Sequence, residues 1–224
     1  MNSIRQIHIP GLYRIEKSDR EKMFSTLLSA FQNYPKLFHA FPDEKKRKSA
    51  LEATLRYYGA YDLAYGAGFS LDERLREVAL LVHSDHMQET FLKHLASGSY
   101  SRAYRKAMGR LSRTDRKKRV MLFHEVDRLE KDLPIPEPHL YLDFLGTANA
   151  YQHQGRGRTL MQRICAYADS IALPIMLFTN TAEDIEFYCS LGFRSIGQTA
   201  SETFGFVNTY LLYDAQSRPE TPPL

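Results

Sequence analysis

The chain has 224 residues, which is enough for one well-buried domain or for one domain with a sizeable insertion. Hydrophobic residues make up 43% and charged residues 25% of the sequence, an ordinary globular balance that argues against wholesale disorder. No apolar run approaches the roughly 20 residues that a membrane helix needs, and the N-terminal stretch lacks the apolar core of a signal peptide. We therefore expect a cytoplasmic protein with no membrane partner.

Cysteine content and net charge set further limits. Cys165 and Cys189 do not have metal-ligand spacing, so the sequence predicts reduced thiols and no metal site. A net charge of +4 and a pI of 9.0 fit either an anionic small ligand or a nucleic acid. Nine basic residues fall within residues 100–119, but no recognisable nucleic-acid-binding motif accompanies them. A solvated helix face is the favoured interpretation, and we expect no nucleic-acid partner.

The N-terminal part of the chain predicts a strand and two helices. Residues 7–15 are short and apolar with a Pro-Gly break, which fits an edge strand. Ser18 followed by Glu21 has the spacing of a capping box and predicts a helix through about Gln32. A second helix is predicted from Pro42 to about Gly59.

A hairpin and a long helical insertion are predicted next. Residues 66–71 and 75–83 form two strand candidates, and the second is a continuous apolar run typical of an inner strand. Residues 84–133 show helical patterns over 87–95, 100–111 and 115–133. The proline-rich residues 134–138 predict an extended connector back to the sheet.

The most informative stretch runs from residue 139 to residue 193. Its first nine residues are an apolar run too short for a helix, and a polar loop follows with Gly155 and Gly157 at the start of an amphipathic helix. A helix start presents unpaired N–H groups and the positive end of the helix dipole, so this turn is a suitable seat for a phosphate. Further strands are predicted at 175–179, 194–198 and 204–213, and residues 214–224 predict a frayed tail.

Two motifs in this stretch resemble signatures of the GNAT superfamily of acyl-CoA N-acyltransferases. Gln152-x-x-Gly155-x-Gly157 resembles the Q/R-x-x-G-x-G/A signature, and residues 187–193, FYCSLGF, resemble the F-Y-x-x-L-G-F signature. The motifs stand in the family's order and are separated by one helix and one strand. The resemblance implies an α/β (α+β) fold with a mixed, mostly antiparallel central sheet flanked by helices. It also implies a single domain over residues 1–213, with the helical insertion before the cofactor-binding strand.

The resemblance further implies acetyl-CoA or coenzyme A as co-substrate. The pyrophosphate would lie on the backbone N–H groups of the loop, and the pantetheine arm would follow the preceding strand. The implied cofactor-binding residues are Leu145, Gly146, Thr147, Gln152, His153, Gln154, Gly155, Arg156, Gly157, Arg158 and Thr159. Asp184 stands where many members have asparagine, which removes an amide donor and adds a charge. Asn180 is the alternative for this contact, and both residues count as implied cofactor-binding positions.

Catalysis in the resembled family proceeds by direct attack of an amine on the thioester. Tyr188 matches the tyrosine that acts as general acid, and a phenol with a pKa of about 10 is protonated at neutral pH. The base stays open between Asp143 on the central strand, His83, and no base at all if the amine enters deprotonated. Cys189 has no legible histidine partner for an acyl-cysteine route.

The resemblance implies that the acceptor is the primary amine of a small molecule. The first helices of the family border the acceptor pocket, so Tyr34, Phe38, His39 and Phe41 are candidates for lining it, with simple packing of the helix pair as an equal alternative. The helical insertion is expected to cover the acceptor side. A catalytically inactive acyl-CoA-binding module and a peptide or protein N-acetyltransferase are the alternative functions. The oligomeric state stays open, a homodimer included.

Overall fold

A seven-stranded sheet runs through the computed structural model, which describes residues 7–130 and 133–215. The strands are β1 (Tyr13–Arg14), β2 (Ala67–Ser70), β3 (Glu77–His83), β4 (Leu140–Thr147), β5 (Ile175–Thr179), β6 (Arg194–Ser201) and β7 (Phe206–Tyr213). Their order across the sheet is β1-β2-β3-β4-β5-β7-β6. The β4–β5 pair is parallel and the other pairs are antiparallel. The predicted mixed, mostly antiparallel sheet is confirmed.

Helices cover both faces of this sheet. They are α1 (Arg20–Phe31), α2 (Pro35–Ala40), α3 (Glu44–Tyr65), α4 (Phe91–Ser97), α5 (Arg102–Gly109), α6 (Arg113–Glu130), α7 (Arg156–Ile171) and α8 (Ala182–Cys189). Buried residues of α7 pack on one face of β4 and β5, and buried residues of α1 and α3 pack on the opposite face of β3. The predicted helical insertion is present as α4, α5 and α6. Within the described ranges, the helices are too short or too polar to span a membrane.

The start of α1 differs from the prediction. Ser18 does not cap this helix; a short 3₁₀ turn precedes it, and Glu16 and Asp19 form the capping box of that turn. The Asp19 carboxylate accepts the backbone N–H of Glu16 at 3.0 Å and the hydroxyl of Tyr13 at 2.9 Å. Because this carboxylate is fixed from two sides, the chain turns at residues 17–19 and α1 begins at Arg20.

The next two helices also differ from the sequence prediction. The stretch around Pro35 begins the short helix α2, where proline occupies the first turn and needs no N–H acceptor. Helix α3 continues past Gly59 to Tyr65, because this glycine serves packing and not termination. A Cβ atom at Gly59 would lie 3.1 Å from Cε1 of Phe24, so the missing side chain lets α1 and α3 approach closely.

Most other predicted boundaries agree with the structure within a few residues. The strand predicted at 175–179 is β5, and the strands predicted around 75–83 and 139–147 are β3 and β4. The predicted edge strand at 7–15 is reduced to the two residues of β1. The expected frayed tail from residue 216 onward, and the end of the predicted insertion helix at residues 131 and 132, lie outside the described residues.

Candidate active site

Strands β4 and β5 pair only at their first two residues and then separate. Their register pairs are Leu140 with Ile175 and Tyr141 with Met176, although β4 continues to residue 147 and β5 to residue 179. The register between β3 and β4 also shifts here: Leu81 pairs with Leu142 and Leu80 with Phe144, which leaves Asp143 as the extra residue of a bulge. A bulge bends its strand. The sheet therefore opens between β4 and β5 just beyond their two shared positions.

A cavity of about 950 Å³ occupies this opening. At one end it meets the loop before α7, in the middle it passes β4, β5 and α8, and at the far end it reaches α3 and α6. The lining residues used below are Gln152, His153, Gly155, Arg156, Gly157 and Arg158 at the loop end; Leu145, Gly146, Thr147, Asp184 and Tyr188 in the middle; and Tyr58, Tyr61, Asp62, Glu89, Phe123, Val126 and Asp143 at the far end.

The start of α7 exposes backbone donors to the cavity. Gly155 at its N-cap has a φ of 73°, and no side chain caps the helix. The N–H of Thr159 already donates to the Gly155 carbonyl at 2.9 Å, so the N–H groups of residues 156–158 precede the first intrahelical bond. Three adjacent donors at the positive end of a 16-residue helix form a geometry suited to a phosphate.

The two glycines of the loop are required for different physical reasons. Gly155 needs its positive φ, since a Cβ atom there would meet no other atom within 4 Å. A Cβ atom at Gly157 would lie 3.3 Å from the Thr147 hydroxyl, so this glycine allows α7 to approach β4. Side-chain bonds hold the loop itself: Gln152 donates to the Thr147 carbonyl at 3.2 Å and Gln154 to the Ala150 carbonyl at 3.3 Å.

The two arginines of the loop are held by protein partners. The Arg156 guanidinium bonds to the fully buried Glu77 carboxylate and to Asp72, the latter at 2.9 Å. The hydrogen bond that Arg156 donates to Glu77 is the main cause of its raised pKa, and the bond to Asp72 raises it further. Arg158 donates to the Ser190 hydroxyl at 2.8 Å and lies over the Phe187 ring at 5.5 Å. The Arg156 side chain thus connects the start of α7 to Glu77 on β3. The backbone N–H groups of residues 156–158 are then the donors that this loop offers to a ligand.

Tyr188 on α8 lies against the middle of the cavity. Its side chain is buried at 8% exposure. Burial is the main reason why its pKa lies well above the usual value, and the nearby Asp184 and Tyr34 raise it further. The phenol therefore keeps its proton throughout the neutral range and can act only as a donor of that proton.

A short hydrogen-bond chain crosses from Tyr34, at the start of α2, to α8 beside Tyr188. The Thr179 hydroxyl donates to Asp184 at 2.7 Å, which leaves its oxygen to accept from the Tyr34 hydroxyl at 3.1 Å. Burial raises the pKa of Tyr34 to about 12. Asn180 is turned the other way, and its amide donates to the Val207 carbonyl at 2.7 Å. Asp184 consequently faces the cavity, and the Asn180 amide is engaged with β7.

A pair of carboxyl groups lies toward the far end. Asp143, the bulge residue of β4, and Asp62 of α3 both line the cavity, and their side chains share a hydrogen bond. Such a bond requires one proton between the two groups. Burial, then the charge of Asp143, and then Glu89 raise the pKa of Asp62 well above the ordinary value. Sequence reasoning had not singled out Asp62; the only signal was a lone acid within the aromatic stretch at residues 57–65, YYGAYDLAY.

Comparison with known proteins agrees with this geometry. The sequence model described as the acetyltransferase (GNAT) family matches residues 102–193, which include the loop, α7, β5 and α8. Residues 102–193 of this chain are therefore similar to the GNAT family. No curated protein sequence shows significant similarity to the chain.

Several solved structures share the GNAT fold of this chain. One is described as histone acetyltransferase HPA2 and related acetyltransferase from Corynebacterium glutamicum, with 19% identity, a TM-score of 0.58 and coverage of 97% of this chain and 100% of that one. Another is arylalkylamine N-acetyltransferase 2 from Aedes aegypti, with 11% identity, a TM-score of 0.54 and coverage of 91% and 98%. An agmatine N-acetyltransferase mutant has 12% identity, a TM-score of 0.51 and coverage of 91% and 98%. At these identities the likeness concerns the fold.

Four of the remaining candidates, His39, Phe41, His83 and Cys189, are not among the residues that line the cavity. Phe41 is 1% exposed in the core beneath α1 and α3, and His39 is exposed on α2. His83 is buried, and its ring nitrogen accepts the Asp85 N–H at 3.3 Å. Cys189, the last residue of α8, is exposed. The side chain of Phe38 is not among those described, whereas Tyr34 does line the cavity.

Proposed function

We propose that this protein is an acetyl-CoA-dependent N-acetyltransferase that acts on the primary amine of a small molecule by direct attack. One observation carries the proposal: the exposed N–H groups of α7, the opening between β4 and β5, Tyr188 and Asp143 all line one continuous space. A phosphate seat, an extended channel, a proton donor and a proton acceptor are the parts that acyl transfer from a coenzyme A thioester needs.

The residues around the loop fit the co-substrate. In the proposal, the N–H groups of residues 155–158 hold the pyrophosphate, with Gln152, His153, Gln154 and Thr159 shaping the loop around them. Leu145, Gly146 and Thr147 follow the pantetheine arm along β4, and Asp184 offers it an acceptor from α8. Bound there, acetyl-CoA supplies an acyl group activated as a thioester. Asn180 belongs to this set only if its amide leaves the β7 contacts described above.

The chain's own groups then manage charge and protons. Backbone N–H groups of β4 at Leu145 and Thr147 are donors for the acyl oxygen as negative charge develops on it. The Tyr188 hydroxyl gives its proton to the departing thiolate. Asp143 receives the proton that the attacking amine must lose, and its position at the bulge places it between β4 and the far end of the cavity.

The far end of the cavity favours a small acceptor. Helices α3 and α6 line it with Tyr58, Phe123 and Val126, which supports the proposal that the helical insertion covers the acceptor side. Two proteins that share the fold are named for the small amines arylalkylamine and agmatine, and one for histone. A peptide or protein acceptor would need an open groove where these side chains lie.

Two measurements on the purified chain test the function. Coenzyme A and acetyl-CoA should raise its unfolding temperature, because a ligand that binds only the folded state stabilises it. Release of free thiol from acetyl-CoA should then depend on an added small amine. Failure of both coenzymes to stabilise the chain would reject the proposal. Stabilisation without thiol release across a broad amine panel would instead support the inactive binding module.

A further inference from the structure

The cavity is electrically divided along its length. Its cationic lining residues, Arg156 and Arg158, belong to the loop end. At the far end the charged lining residues are Asp62 on α3, Asp143 on β4 and Glu89 in the loop before α4. The loop end suits the phosphates of the co-substrate. The far end presents the opposite charge, which a phosphate would avoid and a cation would seek.

Asp62 is the unusual member of this acidic end. It is 2% exposed, lies on the inner side of α3, and its Oδ2 atom is buried without a hydrogen-bond partner. Leaving a buried polar atom unpaired destabilises the folded state, and native proteins contain few such atoms. Leucine or alanine at a buried helix position would avoid this loss of stability. Because Asp62 lines the cavity, this unpaired acceptor points to a ligand with N–H groups.

The neighbours of Asp62 do not account for its acceptor. Glu89 is bound to His94 at 2.7 Å, and the Tyr61 hydroxyl donates to the His86 carbonyl. Asp143 supplies only the shared proton, which satisfies one oxygen of the pair. Aromatic rings of Tyr58, Tyr61 and Phe123 complete the lining at this end, and aromatic faces also attract cations.

We propose that Asp62 and Asp143 together form the recognition site for the ammonium group of the acceptor, and that the acceptor is an amine without a carboxylate. This inference rests on the proposed function and specifies its substrate class. As the ammonium enters, the shared proton leaves to solvent, and both carboxylates accept N–H groups in charge-assisted bonds. A substrate carboxylate would meet three like charges here, which excludes amino acids.

Binding measurements without turnover test this inference. The probes are 2-phenylethylamine, its neutral analogue 2-phenylethanol, and phenylalanine, titrated by calorimetry against the chain with coenzyme A present. The wild-type chain should bind the amine at least about tenfold more tightly than either other probe, as expected for a charged hydrogen bond. Asp62→Asn should reduce this preference to about threefold or less. Asp43→Asn is the matched control, because it removes the same charge from α3 at an exposed N-cap that asparagine also caps.

The outcomes separate this inference from the proposed function. If Asp62→Asn acetylates and binds the amine as the wild type does, the recognition site is overturned while the acetyltransferase stands. If coenzyme A fails to bind but the preference for the amine disappears in Asp62→Asn, the function falls and the cation site stands. Should Asp62→Asn fail to fold, Asp143→Asn is titrated with the same probes, and an unchanged preference there also overturns the inference.

Discussion

Tyr188 illustrates how one side chain can be assigned a role from its surroundings. It lines the cavity, it is buried, and its raised pKa keeps the proton that a leaving thiolate would take. The Tyr188 ring is held by edge-to-face contacts with Phe187 and Phe193, so the hydroxyl adds little to packing. Its loss should therefore affect chemistry more than stability.

Tyr188→Phe should lower kcat by about 10²-fold or more, the usual effect of removing a general acid, with little change in KM for acetyl-CoA. Steady-state kinetics with a fixed amine measure this. Tyr213→Phe is the control, because its hydroxyl bonds to Asp169 outside the cavity and should affect stability but not kcat. An unchanged kcat in Tyr188→Phe would remove this residue from the mechanism.

Asp62 predicts a pH dependence of folding in the ligand-free chain. Its pKa in the folded state is raised above 3.8 by burial and by Asp143 and Glu89, so the folded state retains a proton that the unfolded state has lost. Stability should therefore fall as pH rises from about 4 through the raised pKa, since the folded state binds more protons in that window. Asp62→Asn should be as stable as the wild type or more so, and the advantage should grow with pH in denaturant titrations. A loss of stability in Asp62→Asn at neutral pH would contradict this sign.

Sequence alone could identify some of these residues and not others. Gly155, Gly157 and Tyr188 stand in spaced motifs, so their positions carry information before any coordinates are known. Asp62 stands in no motif, and an acid on a helix is ordinarily exposed. Only its burial and its contact with a residue 81 positions away, Asp143, make it a candidate.

The start of α7 is the element on which co-substrate binding depends. Gly157→Ala should weaken coenzyme A binding by about tenfold, because the new methyl group presses on Thr147 in the space where α7 approaches β4. Unfolding stability should not fall much, since alanine favours a helix over glycine by about 1 kcal/mol. Calorimetric titration with coenzyme A and thermal unfolding measure the two effects.

Gly109→Ala provides the comparison for that variant. Gly109 ends α5, and a Cβ atom there meets nothing within 4 Å. It should leave coenzyme A affinity unchanged. Equal affinities for Gly157→Ala and Gly109→Ala would show that the close approach of α7 and β4 is not required for binding.

The elements themselves were partly legible from sequence. The apolar run at 175–179 has the length of a buried strand and bears no competing helical pattern, so β5 was predicted at its observed bounds. Gly59 misled the predicted end of α3, because glycine can also serve close packing. Helix α2 was not predicted, because proline can begin a helix as well as end one. The bulge at Asp143 could not be predicted, since it depends on the register with β3.

At the scale of the whole molecule, the two ends of the cavity should be separable by mutation. Val126 of α6 is 5% exposed and lines the far end, distant in the chain from the loop before α7. Val126→Phe should fill acceptor space, raise KM for the amine by about tenfold and leave coenzyme A affinity within about twofold. Val120→Phe on the same helix, at a position that is 46% exposed, should change neither value. Parallel losses at both ends in Val126→Phe would indicate a global disturbance.

The parting of β4 and β5 also has a mechanical consequence. Two register pairs form the whole seam between the β1–β4 half of the sheet and the β5–β7 half, and beyond them each strand presents a free backbone edge to the other. An extended ligand lying in that gap would contact the backbone edges of both β4 and β5 and so connect the two halves of the sheet. Amide hydrogen exchange along residues 142–147 and 177–179 should accordingly slow when the gap is filled, so that binding of the proposed co-substrate should stiffen the sheet where β4 and β5 separate.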